Sequence, residues 1–394
     1  MKLRYMLIVL TLTLSACNIS VTSFPAASGP TVEAPTEIPP TPVPDTPAPP
    51  TIDAPAVESP SMFEVQFLNE LDGWGMTESQ IVRTNDGGTT WHNVTPLELA
   101  EAGSTITTFV LDQDHAWIQQ PDFNNYPNNG LQYRTADGGL TWTVASTPFS
   151  EGTLRFLDAK NGWMLSSLGV GAGSNAVAVF QTTDGGATWT QTYTNDPTLP
   201  KAGDSLPLGG LKAGIVPINM ETAWVGGVIY SSGTIYLYRT DDGGQTWSEV
   251  NPPLPPGAAN LEFTIDRDQI KFFSSKDGFL VVRMSGEATQ TAVYTTNDAG
   301  NTWTLTPTLI PNAGPSAFLS AQAAIIYNGH QFYSTRDAAQ TWTTVSPNIV
   351  FGDSFASMDF VDLNTGWIIT VDPTNHRSLY RTTDGGATWS PVIP

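Results

Sequence analysis

The chain has 394 residues, of which 40% are hydrophobic, and this is enough apolar sequence for a large core. It contains 35 glycines and 31 prolines. No long stretch keeps apolar residues at helical spacing, so the folded part is predicted to be all-β. The formal net charge is −21, and because such a surface repels phosphate, no nucleic-acid partner is expected.

The amino terminus has the pattern of a bacterial signal peptide. Lys2 and Arg4 precede an apolar run over residues 5–14, which is followed by Leu14-Ser15-Ala16-Cys17. This ending resembles the lipobox of lipoproteins, and the resemblance implies that Cys17, the only cysteine, carries lipid. A short membrane anchor or an ordinary signal peptide is the alternative, but the apolar run is too short to span a bilayer. We therefore predict a leader over residues 1–16 and a lipid-anchored protein of the bacterial cell envelope that faces outside the cytoplasm.

The segment after Cys17 is rich in Pro, Thr, Ala and Glu. Residues 18–60 contain 12 prolines, no Lys or Arg, and a single aromatic residue, Phe24. Such a composition buries too little apolar surface to offset the entropy of ordering. We predict that residues 17–60 form a disordered stalk and that residues 61–394 form the folded domain.

One turn phrase occurs seven times in the folded part. Its first copy reads Thr84-Asn85-Asp86-Gly87-Gly88-Thr89-Thr90-Trp91, and successive aspartates lie 51, 47, 58, 56, 39 and 47 residues apart. We number the repeats one to seven by these turns. Their aspartates and tryptophans are Asp86, Asp137, Asp184, Asp242, Asp298, Asp337 and Asp384, and Trp91, Trp142, Trp189, Trp247, Trp303, Trp342 and Trp389. Units of this size stack on one another because none can bury its apolar face alone.

A second phrase, an apolar residue followed by a short turn and Gly-Trp or a near equivalent, precedes most of these turns. It contains the other five of the 12 tryptophans, namely Trp74, Trp117, Trp163, Trp224 and Trp367. In the turn itself, the Asp side chain accepts backbone hydrogen bonds, Gly supplies a positive φ, and Trp buries a large ring against the hairpin. The turn phrase thus predicts a tight corner between two antiparallel strands.

The turn phrase resembles the Asp-box, or BNR repeat, of sialidases, sortilin-type receptors, xyloglucanases and the photosystem II stability and assembly factor family. The resemblance implies a single seven-bladed β-propeller with four-stranded antiparallel blades. It also implies that the seven aspartates and seven tryptophans are structural and lie at the periphery. The sixth copy departs from the pattern, with Ala339 where glycine is expected.

Length variation among the repeats is expected on one face, which carries the connections from strand two to three and from strand four to the next blade. Insertions confined to one face indicate a binding surface. The candidate binding loop on it combines aromatic, amide and carboxylate side chains: Asp122, Phe123, Asn124, Asn125 and Tyr126. These suit a sugar ring or a peptide, although such runs are also ordinary turn chemistry.

Catalytic signatures are scarce in the sequence. The four histidines lie in different repeats without zinc-ligand spacing, and no Gly-x-Ser-x-Gly phrase occurs. The sialidase arginine phrase has no full counterpart, since the nearest stretch is Leu154-Arg155-Phe156-Leu157. We therefore expect no catalytic residue, no metal and no cofactor.

The combination of the Gly-Trp phrase with the Asp-box turn looks most similar to the photosystem assembly-factor branch. The sequence thus predicts a non-catalytic binding or assembly scaffold for a protein or glycan partner on the variable face. The lipid on Cys17 is expected to attach this scaffold to the membrane. The alternative is an exo-acting glycoside hydrolase of the sialidase type.

Overall fold

A computed structural model describes residues 51–99, 106–312 and 314–393, which belong to one compact unit. The predicted leader, Cys17 and most of the predicted stalk lie outside the described residues. The described part contains 31 β-strands, one 3-10 turn at Gly352–Ser354 and no α-helix. The all-β prediction is confirmed.

Each repeat contributes an antiparallel meander that runs from an inner strand outward. In the first three repeats the strands are β2 (Glu64–Phe67), β3 (Gly73–Met76), β4 (Ile81–Thr84) and β5 (Trp91–Asn93); β6 (Thr107–Val110), β7 (His115–Pro121), β8 (Gly130–Ala136) and β9 (Thr143–Thr147); and β10 (Gly152–Phe156), β11 (Gly162–Gly171), β12 (Ser174–Thr182) and β13 (Thr190–Thr194).

The fourth and fifth repeats follow the same order with extra short strands. They contain β14 (Leu211–Pro217), β15 (Ala223–Val228), β16 (Leu237–Thr240) and β17 (Ser248–Glu249), and then β18 (Glu262–Thr264), β19 (Ile270–Phe272), β20 (Gly278–Ser285), β21 (Gln290–Thr296), β22 (Thr304–Leu305) and β23 (Ile310–Pro311). The last two repeats contain β24 (Ser316–Phe318), β25 (Ala324–Tyr327), β26 (Phe332–Thr335) and β27 (Thr343–Val345), and β28 (Phe355–Phe360), β29 (Gly366–Val371), β30 (Arg377–Thr382) and β31 (Ser390–Pro391).

The strands form six sheets instead of seven separate ones. Four sheets have four strands in chain order, the sheet of repeat one has a fifth strand, and one sheet has ten strands from repeats four and five. These two repeats join because Val228 of β15 pairs with Thr264 of β18. The fold is a β-propeller with four-stranded blades, as predicted.

The sheet of repeat one begins earlier than the predicted boundary at residue 61. Strand β1 (Ala56–Val57) pairs with β5 as its outermost strand. The His92 Nδ1 atom also lies 2.8 Å from the carbonyl oxygen of Ala54. A few residues of the segment assigned to the stalk therefore cover the outer edge of this blade, which leaves fewer backbone groups unpaired.

The seven turns have one hydrogen-bond pattern. In repeat four, the Thr240 hydroxyl donates to Asp242 Oδ1 (2.8 Å) and accepts from the Gly244 N–H (2.9 Å). Asp242 also accepts from the N–H (2.9 Å) and hydroxyl (2.6 Å) of Thr246. The same four bonds recur in the other six repeats. Desolvation opposes ionisation of Asp242, but these bonds hold its pKa below the ordinary value.

Aromatic stacking joins consecutive repeats. The ring of Phe156, at the end of an inner strand, stacks on Trp117 of the preceding repeat, with centroids 3.7 Å apart. Phe67 of repeat one stacks in the same way on Trp367 of repeat seven, at 3.5 Å. A Cβ added to Gly162 would lie 2.7 Å from Phe156, which explains why glycine precedes tryptophan in the Gly-Trp phrase. The last repeat thus packs against the first.

Arginines near the end of strand three also reach the following repeat. Arg83 Nη1 donates to the Gly138 carbonyl (3.0 Å) and Arg134 Nη1 to the Asp184 carbonyl (2.9 Å). Arg83 and Arg134 therefore fix the next Asp-box turn. Arg239 also contacts an acid of its own repeat, because its guanidinium lies 2.6 Å from Asp241.

Two of the seven turns place alanine where the others have glycine with positive φ. Ala299 in repeat five has a φ of +62°, and Ala338 and Ala339 in repeat six have φ of +56° and +62°. Side chains with a Cβ are disfavoured in this region of backbone space. The hydrogen bonds of the turn form nevertheless, so the surrounding fold imposes the conformation.

We expect Ala299→Gly to raise the free energy of unfolding by about 0.5–1 kcal/mol, because relief of left-handed strain exceeds the entropy lost with glycine. The matched change Gly243→Ala, at the equivalent position of repeat four (φ +75°), should lower it by about 1 kcal/mol. Urea unfolding of both variants measures the two effects. Equal effects of the same sign would contradict this account.

Candidate functional site

The inner strands of all seven repeats line one central cavity of about 840 Å³. On the inner strand β2, alternate residues point away from the packed core, so Glu64 and Gln66 are exposed whereas Val65 and Phe67 are buried. This alternation brings polar side chains from distant parts of the sequence to the same channel.

Six charged residues line this channel: Glu64, Arg155, Arg267, Asp268, Lys271 and Asp359. Three are acidic and three are basic. They come from repeats one, three, five and seven. In a chain with 37 acidic and 16 basic residues, a balanced cluster of this kind differs from the average surface.

A bulge in the inner strand of repeat five delivers two of these residues. Thr264 pairs with Arg283 and Ile270 pairs with Leu280, so the inner strand advances six residues while its partner advances three. The extra residues bend away from the ladder, as in other bulges near functional sites. Asp268 in this bulge has a φ of +65°, which is a strained conformation for a residue with a Cβ.

The Asp268 carboxylate forms an ion pair with Arg155 of repeat three. The Arg155 side chain is mostly covered, at 21% exposure, and its guanidinium also lies 5.9 Å from the centre of the Phe109 ring. The pair therefore links two non-adjacent repeats on the channel wall.

Asp359 is the most enclosed acid of the channel. Its Oδ2 accepts a hydrogen bond from the backbone N–H of Phe67 at 2.5 Å. Desolvation raises the pKa of Asp359 to about 6, the nearby Glu64 carboxylate adds to the increase, and Lys271 and two backbone N–H groups oppose it. A carboxyl group of this kind keeps its proton at mildly acidic pH.

Glu64 and Lys271 respond to the same surroundings. Desolvation raises the pKa of Glu64, and so does Asp268, whereas Arg267 and Arg155 lower it. For Lys271, desolvation lowers the pKa, Arg155 acts in the same direction, and Asp268 and Asp359 oppose both. Two carboxyl groups with raised pKa values thus share one channel, and a pair of carboxyl groups is what acid-base cleavage of a glycosidic bond requires.

The predicted binding loop lies elsewhere. It connects β7 to β8, and none of its residues lines the channel cavity. Asp122 accepts hydrogen bonds from Asn124 N–H (2.9 Å) and Asn125 Nδ2 (2.7 Å), so its polar groups stabilise the loop itself. The Tyr126 hydroxyl donates to Glu151 Oε1 at 2.6 Å, and this bond raises the pKa of Tyr126 to about 12. Phe123 stays 67% exposed, and a ligand role for the loop stays a prediction.

The seven Asp-box aspartates do not line the channel cavity either. Sequence reasoning named none of the channel residues as a site. The run Asp266-Arg267-Asp268 was the available signal, because no other repeat has such a charged run before its Gly-Trp phrase. Glu64 and Asp359 carry no local signal, since each is a single acid within a strand.

Among the described residues, no three His, Cys, Asp or Glu side chains come together as metal ligands. The same part of the chain has no helix with the length and apolar character needed to cross a membrane.

Comparisons with known proteins agree with this fold. The BNR/Asp-box repeat family model matches residues 238–249 and 380–391. The chain carries Asp-box repeats on a β-propeller. A solved xyloglucanase from Xanthomonas campestris superimposes with a TM-score of 0.55 and 16% identity, over 84% of this chain and 54% of that one. The protein YCF48, solved with a bound D1 peptide, gives a TM-score of 0.50 and 16% identity, over 85% of this chain and 99% of that one.

Two curated relatives, both xyloglucanases, also match. The one from Paenibacillus sp is 24% identical over 309 residues, which are 73% of this chain and 26% of the relative. The one from Hypocrea jecorina (strain QM6a) is 24% identical over 264 residues, or 55% of this chain and 29% of the relative. The chain thus spans less than a third of the curated relatives that it matches.

These matches overturn the expectation of a non-catalytic assembly scaffold. Both curated relatives are named as enzymes that act on a polysaccharide, and the likeness to YCF48 at 16% identity is one of fold. The residues that line the channel come from separate repeats, so no compact motif in the sequence marks them. These matches do not test the expectation that the chain has no catalytic residue, which stays a prediction.

Protonation of Asp359 should affect stability. Because its pKa is raised to about 6 in the folded state, its contribution is complete below about pH 4 and is lost as the pH rises through 6. From pH 4 to pH 7 the free energy of unfolding of the wild type should fall by about 1–3 kcal/mol relative to that of Asp359→Asn, in which this side chain cannot titrate. Urea unfolding at both pH values measures this difference, with the exposed Glu262→Gln as control. A constant gap between wild type and Asp359→Asn would show that the folded-state pKa is not raised.

Proposed function

We propose that this chain is a glycoside hydrolase domain whose reacting groups line the central channel. The observation that carries the proposal is the pair formed by Asp359 and Glu64, two channel carboxyl groups whose pKa values are both raised. The curated matches to xyloglucanases support the same reaction class.

In this proposal Asp359 is the general acid. Its proton passes to the glycosidic oxygen as the bond between that oxygen and the anomeric carbon breaks, so the leaving sugar departs as a neutral alcohol. The Phe67 N–H, which donates to Asp359 Oδ2, orients the carboxyl group and stabilises the carboxylate that remains.

Glu64 supplies the second carboxylate. It stabilises the positive charge that develops at the anomeric carbon and acts either as the nucleophile or as the base that takes a proton from the attacking water. Lys271 lies close enough to lower the pKa of Asp359. The basic residues of the channel therefore limit how far the pKa values of Asp359 and Glu64 rise.

The substrate class is a neutral polysaccharide, and xyloglucan is the first one to test because the curated relatives are named for it. Most of the channel wall is uncharged, and threonine and glutamine side chains from several inner strands, among them Gln66, Thr107 and Thr153, line it beside the charged cluster. Such groups can hydrogen-bond sugar hydroxyls.

Hydrolysis should depend on both acids. We expect Asp359→Asn and Glu64→Gln each to reduce reducing-sugar release from xyloglucan or another β-glucan by at least 100-fold, since general acid-base groups contribute about 10²–10⁴. The wild-type rate should fall as the pH rises above 6. In Glu64→Gln the rate of any residual activity should begin to fall at a lower pH, because removal of the Glu64 charge lowers the pKa of Asp359. Glu249→Gln, at an exposed position of the outer strand β17, is the control with unchanged activity. Full activity of both channel variants would refute the assignment.

We also propose that the propeller has seven blades. Support comes from the seven turns, from the separate meanders of repeats four and five inside the ten-stranded sheet, and from the packing of Trp367 on Phe67. In this interpretation the pairing of Val228 with Thr264 is a local bridge between two blades.

Finally, we propose that Cys17 anchors the domain to the bacterial membrane through lipid, with the segment between Cys17 and strand β1 as a stalk. The support is the lipobox-like sequence Leu14-Ser15-Ala16-Cys17. When the protein is expressed in a bacterium, Cys17→Ala should move it from the detergent phase to the aqueous phase in Triton X-114 partition. The variant has no cysteine to carry the acyl chains that a stable anchor requires. Metabolic labelling with palmitate should disappear in the same variant. A wild-type protein that partitions into water would contradict the proposal.

A further inference from the structure

A second cavity of about 480 Å³ lies in repeat five, beside its connection from strand two to strand three and the segment that leads to repeat six. Val281, 4% exposed, lies at its floor. The other lining residues are mainly polar: Thr264, Asp266, Gln269, Arg283, Thr289, Thr291, Asn312 and Gly314. This cavity is separate from the channel residues assigned above.

One ion pair dominates the electrostatics of this cavity. Arg283 Nη2 lies 3.0 Å from Asp266 Oδ1, and Nε lies 3.2 Å from Oδ2, so the two planar groups meet side by side. Their side chains keep 36% and 53% of their surface exposed. The pair has no net charge, and each group retains hydrogen-bonding capacity, because a guanidinium has five N–H donors and a carboxylate has about four acceptor sites.

The other polar groups are held in place by the fold. The Ser316 hydroxyl donates to Gln269 Oε1 at 2.9 Å, which leaves the Gln269 amide N–H₂ without a hydrogen-bond partner among the described residues. The Thr291 hydroxyl donates to the Asn312 carbonyl, also at 2.9 Å. The cavity therefore presents a fixed set of donors and acceptors.

The strand bulge of repeat five connects this cavity to the channel. Asp266 and Gln269 line the cavity, whereas Arg267 and Asp268 of the same bulge line the channel. A ligand in the cavity and a polysaccharide in the channel would thus lie on opposite sides of one short segment.

We propose that the cavity binds a neutral sugar unit, and more specifically a branch or neighbouring residue of the glycan whose backbone lies in the channel. A neutral ion pair favours an uncharged ligand, since an anion or cation would have to compete with the internal partner. The mainly polar lining excludes an apolar ligand, and the volume lies in the range of small-ligand sites. The vicinal hydroxyls of a sugar both donate and accept, which matches the paired Arg283 and Asp266. The ligand class rests on the glycoside hydrolase function proposed above.

The test measures binding of xyloglucan heptasaccharide to the full mature chain by isothermal titration calorimetry, in the Asp359→Asn background to prevent turnover. Arg283→Met should weaken binding at least tenfold, and Thr289→Val should weaken it severalfold while removing a single hydroxyl. Arg336→Met, which removes an exposed arginine from the turn of repeat six, is the matched control and should bind normally. D-xylose should shift the side-chain NMR signal of Arg283 but not that of Arg155.

Two results would overturn the proposal. One is that Arg283→Met and Thr289→Val both bind the heptasaccharide as tightly as the control variant does, and the other is that a galacturonate trimer binds more tightly than the neutral oligosaccharide. Failure of the proposed hydrolase function gives a different result. In that case Asp359→Asn and wild type release equal amounts of sugar, or neither releases any, while sugar binding still depends on Arg283.

Discussion

Every functional feature of this fold depends on how one repeat packs against the next. A phenylalanine at the end of an inner strand stacks on the tryptophan of the preceding repeat, as Phe156 does on Trp117 and Phe67 on Trp367. Hydrogen bonds then fix the backbone of the following Asp-box turn, for example from the Trp117 indole N–H to the Gly185 carbonyl at 2.8 Å. Large flat rings bury much area with defined geometry, so these contacts set the angle between sheets and place all inner strands around one channel.

The channel is where that packing has chemical consequences. Its walls exclude much of the water from Asp359, and desolvation also raises the pKa of Glu64, so the neutral form of each acid gains relative to the charged form. Opposite charges from Arg155 and Lys271 prevent a larger shift. An acid that titrates near pH 6 is well suited to donate a proton at mildly acidic pH. The same acids on an exposed loop would not have this property.

The bulge in the inner strand of repeat five separates the channel from the second cavity. Three extra residues between Thr264 and Ile270 let neighbouring side chains point into two different cavities. The strained backbone at Asp268 is stabilised by its ion pair with Arg155. A regular strand would present alternate residues to only two faces and could not place Asp266 and Asp268 in separate cavities. The ten-stranded sheet of this region arises from the same irregular segment.

The amino-acid sequence by itself determined the repeat and the local structure of each corner. Asp242, Thr240 and Thr246 lie within seven residues of one another, and short-range hydrogen bonding dictates their arrangement. The all-β class and the four-stranded blades followed from such local patterns. Only the tertiary structure decided which residues line the candidate site, because Glu64 and Asp359 are almost 300 positions apart and come to the same channel only when repeat seven packs on repeat one. Their raised pKa values are likewise a property of the enclosed channel, since desolvation and neighbouring charges have no counterpart in the local sequence.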